Sequence, residues 1–270
     1  MPELPEVETI KRGLIPLIGL KLTSSIVRFA KLRYLVDAQL LTKIQGKTLL
    51  QIIRRAKYIV LVFEENYYII IHLGMSGRIS VLNSDKEIVK HDHVDLVFGQ
   101  YILRYNDPRR FGCILAGVGD WSQHKLLVNL GPEPLENTFT PEYLLEKASS
   151  RTTTLKQLIM DNAVVVGVGN IYACESLFNS RLSPLRIAKT LTLSEAVLLV
   201  NEIKKVLNIA IANGGSTLKD YVDASGNMGY FQQQHQVYGR AGLACKICNT
   251  AILETRLGQR NSFYCPNCQH

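Results

Sequence analysis

The sequence predicts an α+β chain of several domains: an N-terminal helix, a β-sandwich, a helical region and a four-cysteine hairpin. Three observations carry that prediction. Between Lys21 and about Val118 the apolar residues alternate or cluster in short β-branched runs. After Pro141 their period becomes helical. Near the C-terminus stand two matched pairs, Cys245-Lys-Ile-Cys248 and Cys265-Pro-Asn-Cys268.

Taken in order, Pro5 to about Ile18 reads as a helix. Proline suits a first helical position, Glu6 and Glu8 complement the dipole, and Val7, Ile10, Leu14 and Leu17 keep helical spacing. Strands are then expected at Thr48–Ile53, Tyr58–Phe63, Tyr67–Leu73, Arg78–Leu82, His93–Phe98 and Tyr101–Tyr105. Several strands in a row without intervening helices favour a sandwich. Breakers from Gly131 to Pro141 mark a domain boundary. Helices follow at Glu142–Ala148, Leu155–Met160, Asn170–Asn179 and Ser194–Ala212, the last with Ser194 as cap and Gly214-Gly215 as stop. Residues 216–236 read as a mobile loop. The expected domains are 1–133, 134–235 and 236–270.

The 270 residues are 47% hydrophobic and 20% charged, ordinary for a globular protein. The net charge of +8 favours a polyanionic partner. No apolar run reaches the roughly 18 residues that span a bilayer. The acidic N-terminus has no secretory h-region, and four of the six cysteines cluster as knuckles rather than as a disulfide framework. A cytoplasmic protein is expected. Cys113 and Cys174 lie in apolar contexts and read as buried thiols.

The chemistry concentrates at the two ends. If Met1 is trimmed, Pro2 becomes a secondary-amine terminus followed at once by the Glu3 carboxylate. An α-amine has a pKa near 8, about two units below lysine, so much more of it is nucleophilic at neutral pH. With an aldehyde it forms an iminium, a cation that can drive elimination of groups β to the carbonyl carbon. At the other end, four thiolates in C-x2-C pairs supply a closed tetrahedral site for one structural Zn2+. The hairpin between them carries Arg256, Gln259 and Arg260.

Other motifs have plainer readings. Gly167-Val-Gly169-Asn170 lacks the third glycine of a dinucleotide fingerprint and reads as a turn between helices, where first-turn amides can face a phosphate. Arg54 and Arg55 read as a solvated face. His91-Asp92-His93 puts two histidines on one side of an extended segment without a third ligand. His72 and His124 read as ordinary packed or surface residues.

Together these residues resemble bacterial formamidopyrimidine-DNA glycosylase along the whole chain. The matching motifs include Pro-Glu-Leu-Pro-Glu, Arg-Arg-Ala-Lys57-Tyr, His72-Leu-Gly-Met75-Ser-Gly, Asp-Pro-Arg109-Arg-Phe111-Gly, Val-Gly-Val-Gly-Asn170, Gly-Gly-Ser-Thr217-Leu-Lys219 and the four-cysteine finger. The resemblance implies a β-sandwich domain, a helix–two-turn–helix domain and a zinc finger, with double-stranded DNA bound in the cleft between domains. It implies a bifunctional glycosylase and abasic-site lyase of base excision repair, acting on oxidised purines and abasic sites by β,δ-elimination, and most simply a monomer.

By the same resemblance Pro2 is the nucleophile, Glu3 the general acid/base and Glu6 a supporting carboxylate. Lys57 assists base loss and β-elimination, and Arg260 assists δ-elimination. His91, Arg109, Arg151, Asn170 and Lys219 match DNA contacts. Met75, Arg109 and Phe111 match the wedge that replaces the extruded base, and the loop after Thr217 matches the one that closes over it. Where the family often has lysine, this chain has Arg151, which keeps the charge.

Two alternatives have distinct signatures. Endonuclease VIII, of the same fold and specific for oxidised pyrimidines, usually opens Pro-Glu-Gly-Pro-Glu, whereas this chain has Leu4. A non-catalytic zinc DNA-binding protein would need neither Pro2 nor Glu3.

Overall fold

A computed structural model describes residues 2–83, 87–216 and 235–270 of the chain. It divides into two compact units. One comprises residues up to Val128 with the segment that starts at Gly214; the other comprises Asn129–Asn213 with the C-terminal stretch ending at His270.

The first unit opens with helix α1, Leu4–Gly13. Glu3 is its N-cap, and Glu3 and Glu6 cap each other reciprocally, side chain to backbone. The helix stops earlier than its apolar spacing suggests and passes into a short 3-10 turn, Ile15–Leu17. Pro16 is the reason: it brings no N–H and disfavours helical backbone just before it.

Two antiparallel four-stranded sheets follow. One has the order β1-β6-β7-β5, with β1 Ser24–Val27, β5 Arg78–Asn83, β6 Asp92–Phe98 and β7 Tyr101–Asn106. The other has the order β2-β3-β4-β8, with β2 Leu49–Arg55, β3 Tyr58–Phe63, β4 Tyr67–His72 and β8 Cys113–Val118. Ile59, Leu61, Ile69 and Ile71 of one sheet share a core with Val94, Leu96, Leu103 and Tyr105 of the other, joined by Val7 and Ile10 of α1. That is a β-sandwich closed by a helix. A second helix, α2 (Ala38–Ile44), interrupts the stretch read as strands alone; its cap is Asp37, which accepts from Leu40 N at 2.9 Å. Two turns are too short for helical periodicity to register.

The second unit is helical, with α3 Pro141–Ser149, α4 Leu155–Met160, α5 Asn170–Asn179 and α6 Leu193–Ala212. The cap of α6 is Thr192 rather than Ser194: Thr192 and Glu195 form the capping box that the spacing S/T-x-x-E encodes. Strands β9 (Leu253–Leu257) and β10 (Arg260–Tyr264) form an antiparallel hairpin with Gly258-Gln259 at its tip. Cys174 and Phe178 of α5 share a small core with Val237, Ile252, Phe263 and three finger cysteines. Glu175 on the same helix is buried and accepts from the backbone N–H groups of Gln236, Val237 and Tyr238 at 2.8–3.0 Å. Burial raises its pKa while those three donors oppose the shift. Among the described residues no helix is long and apolar enough to cross a membrane.

Candidate active site and nucleic-acid interface

The chemistry-bearing residues divide between the two units. At the start of the first, Pro2 is buried, and Glu3 and Glu6 are 4% and 2% exposed. Glu6 is the organiser. Its Oε2 accepts from Glu3 N at 2.7 Å and its Oε1 from Ser216 N at 2.8 Å. One carboxylate thus fixes the backbone beside Pro2 and the segment leading to Thr217. Gly215 makes room for it: at φ +84° an added Cβ would lie 2.8 Å from Glu6 Oε1. Lys219 and Thr217 lie outside the described residues, as does most of the segment read as a mobile loop.

Lys57 sits in the two-residue turn between β2 and β3, after Ala56 at φ +54°. The same hairpin is tied to α1, since Arg54 Nε donates to Glu8 Oε2 at 3.0 Å. Arg54 is therefore an enclosed ion-pair partner, 11% exposed against 13% for Glu8, and not a solvated face. Beside Lys57 lies His72, whose Nδ1 accepts from Gly74 N at 3.1 Å. Burial, then the charges of Arg33 and Lys57, pull its pKa down to about 4, so the imidazole is neutral and Nε2 carries the proton.

Met75, Arg109 and Phe111 come from two loops that pack backbone to backbone. Met75 and Phe111 are 38% and 47% exposed, unusual for large apolar side chains brought together. They line one hollow of about 290 Å³ with Arg33, His72 and Gly74. Gly74, at φ +61°, is required: a Cβ there would lie 2.5 Å from Gly112 N. The Arg109 guanidinium stands 4.7 Å over the Phe111 ring. Beneath the loops Asp107, with no exposed surface, accepts from Ser76 Oγ at 2.6 Å, Gly112 N at 2.9 Å, Tyr105 OH at 3.2 Å and Arg109 N at 3.3 Å.

His91 is a left-handed residue at φ +74°, and its carbonyl accepts from Asp107 N at 3.2 Å. His93 Nε2 is engaged with Asp107 O at 2.9 Å. Among the described residues the only metal-type cluster is that of the four cysteines.

In the second unit those four Sγ atoms all lie within 4.8 Å of one another. A tetrahedral Zn–S₄ site with bonds of about 2.3 Å has S···S edges of about 3.8 Å. Cys245–Cys268 at 3.9 Å and Cys248–Cys265 at 3.4 Å fit it. No coordination position is left open, so the metal is structural. Arg260 opens β10 at the exposed hairpin tip. Asn170 is the first residue of α5, and its amide is engaged on both sides: Oδ1 accepts from Lys156 Nζ at 2.6 Å and Nδ2 donates to Asn261 O at 2.9 Å. Lys156, 1% exposed, also reaches Ser262 Oγ at 2.6 Å and Asn261 O at 3.1 Å. It thus locks the α5 N-terminus to the hairpin that bears Arg260. Arg151 is half-exposed and lies 3.4 Å from Asp161.

Sequence reading did not reach Asp107, Ser76, Tyr105, Lys156 or Glu175. Only Asp107 carried a local hint, through the turn Asn106-Asp107-Pro108.

Comparison with known proteins agrees with this geometry. Residues 1–114 match the formamidopyrimidine-DNA glycosylase N-terminal domain, 130–222 its H2TH domain, and 242–270 the zinc finger found in that family and in isoleucyl-tRNA synthetase. Formamidopyrimidine-DNA glycosylase of Glaesserella parasuis is 50% identical over 277 residues, covering 100% of this chain and 98% of its own. That of Vibrio cholerae is 50% identical over 272 residues, covering 100% of both. The MutM (Fpg) protein of Thermus thermophilus superposes with a TM-score of 0.89 at 37% identity, covering 99% of this chain and 98% of its own. Lactococcus lactis Fpg in complex with abasic-site DNA gives a TM-score of 0.92 at 33% identity, covering 100% of both chains. With its sandwich, helical region and four-thiol finger in the order those relatives share, the chain belongs to the formamidopyrimidine-DNA glycosylase family, DNA glycosylases of base excision repair.

Proposed function

We propose that the chain excises oxidised purines from duplex DNA and cleaves the strand at the resulting abasic site, with the mature Pro2 nitrogen as nucleophile. The observation that carries this reading is the buried acid pair at the chain start, with Glu6 bonded to both Glu3 N and Ser216 N. A protein that only bound DNA would have no use for a carboxylate dyad held beside a terminal amine.

The steps follow from the groups present. A base inside the stack is unreachable and must be extruded, and a wedge must fill the gap. Met75 and Phe111 suit the filling, and Arg109 can hydrogen-bond the orphaned partner base. Pro2 N attacks C1′, the glycosidic bond breaks, and the base leaves with a proton. Glu3 is placed to move protons to and from the sugar, whose ring oxygen departs as C1′ becomes the iminium. The cation acidifies C2′–H; loss of that proton expels the 3′ phosphate, and a second elimination expels the 5′ phosphate. Lys57 would serve the first elimination and Arg260 the second. His91, Arg109, Arg151, Asn170 and Lys219 would contact the DNA, with phosphate favoured at the N-terminus of α5 by the helix dipole. Zinc holds the hairpin and enters no step. Such an enzyme works where the chromosome lies, in the cytoplasm, and one chain suffices for one lesion.

The test compares release of 8-oxoguanine opposite cytosine with release of thymine glycol. Faster purine release supports the reading. Faster thymine glycol release would move the chain to the pyrimidine specificity of endonuclease VIII, and binding without release would leave only a DNA-binding protein.

A further inference from the structure

Asp107 is a fully buried carboxylate for which the chemistry above has no role. Its surroundings define one. Both oxygens are engaged, and the four donors come from three places: Ser76 in the loop after β4, Tyr105 at the end of β7, and the backbone of Arg109 and Gly112 on either side of Phe111. Ser76 Oγ also accepts from Arg109 N at 3.2 Å, and Tyr105 OH also reaches His72 O at 3.4 Å. The Ser76 bonds tie one loop to the other and the Tyr105 bonds tie both to the strand beneath, while the Arg109 and Gly112 bonds close the Asp107–Gly112 loop on itself. Between them Arg110 takes the left-handed conformation at φ +58°, with its guanidinium 4.3 Å over the Phe29 ring. A non-glycine residue keeps that backbone only where its surroundings over-determine it.

We propose that Asp107, with the hydroxyls of Ser76 and Tyr105, is a positioning residue for base extrusion: it joins the Met75 loop to the Arg109–Phe111 loop so that three side chains enter the duplex as one rigid wedge. The inference rests on the wedge reading of Met75, Arg109 and Phe111. Its physical content is preorganisation. Two exposed apolar side chains on independent loops would lose their relative freedom on insertion, and that entropy loss would oppose extrusion. Loops already joined through a buried carboxylate have little left to lose. Tyr105 keeps its proton as a donor throughout the working range, because burial and then the Asp107 charge raise its pKa. A bond to a charged acceptor is among the stronger protein hydrogen bonds, so deleting one hydroxyl has a measurable effect without dismantling the sheet.

The test uses Ser76→Ala and Tyr105→Phe, each of which removes one hydroxyl, on the zinc-loaded full chain. Base extrusion is followed by stopped-flow fluorescence of 2-aminopurine beside an 8-oxoguanine:cytosine pair. Single-turnover cleavage is measured on that duplex and on one carrying a preformed abasic site. The expected result is an extrusion phase about tenfold slower, from the loss of one charged-acceptor hydrogen bond, with abasic-site cleavage changed less than about twofold. Equal losses on both substrates would overturn the inference, as a general packing defect predicts them. So would an unchanged extrusion phase in both variants while Phe111→Ala slows it. If Phe111→Ala and Met75→Ala also leave that phase unchanged, the wedge reading itself fails, and the inference with it.

Discussion

In the first unit the Ser216 segment and the Met75 and Arg109–Phe111 loops are held by buried carboxylates, whereas in the second the α5 N-terminus and the Arg260 hairpin are held by a buried ammonium, beside the Glu175 carboxylate that holds residues 236–238. In the first, carboxylates gather donors: Asp107 takes four and Glu6 joins Glu3 N to Ser216 N. In the second, the Lys156 ammonium gathers acceptors from Asn170, Asn261 and Ser262. The sign follows from what must be held. A carboxylate collects backbone N–H groups and leaves the side chains of those residues free, as with Arg109. An ammonium collects oxygens and so consumes the Asn170 amide. Buried charges are costly alone and rigid when satisfied, so each is a sensitive point of its unit.

The largest expected effect is at Lys156. Lys156→Met fills the space but strands the oxygens it served, at a cost of about 3 kcal/mol. Urea unfolding should show the loss, and hydrogen exchange should show faster opening of Arg260–Tyr264. Unchanged exchange in the hairpin would show that the ammonium is not what holds it.

Next is Gly215→Ala, which forces a Cβ to 2.8 Å from Glu6 Oε1 at φ +84°. Backbone strain alone costs about 1–3 kcal/mol. Gly19 provides the control, because at φ +87° it has nothing within 4 Å of an added Cβ. Gly19→Ala should share the strain and leave catalysis intact, while Gly215→Ala should also slow covalent trapping about tenfold by displacing the carboxylate beside Pro2. Equal trapping rates would show that Glu6 can move without consequence.

The smallest effect is a pH dependence. The folded His72 pKa is about 4 against the ordinary histidine value of 6.5. As pH falls through 6.5 the unfolded chain takes up a proton that the folded chain refuses, so stability is lost from there down towards pH 4. Between pH 7 and 5 the loss is about 2 kcal/mol at most. Comparing denaturation midpoints of wild type and His72→Gln at both pH values isolates it, and the variant should respond less.

Much of this was legible in one dimension. Tyr58–Phe63, Leu155–Met160 and Asn170–Asn179 are bounded by turn residues or caps and match the observed elements. The two C-x2-C pairs announce the finger directly. The Thr192 cap was readable from its partner Glu195, although Ser194 distracted from it. The hubs were not readable. Lys156 meets Ser262 across 106 positions and Glu6 meets Ser216 across 210, and no local pattern distinguishes such a charge from a solvated one. Arg54 illustrates the difficulty: it sits in a basic run yet is enclosed against Glu8.

The mechanism depends most on which atom bonds the sugar. Borohydride reduction of the enzyme with an 8-oxoguanine duplex, followed by proteolysis and mass spectrometry, locates that bond. The deoxyribose remnant is expected on an N-terminal peptide that begins at Pro2. Attachment at Lys57 or any other lysine, or full activity in protein that still carries Met1, would contradict the mechanism.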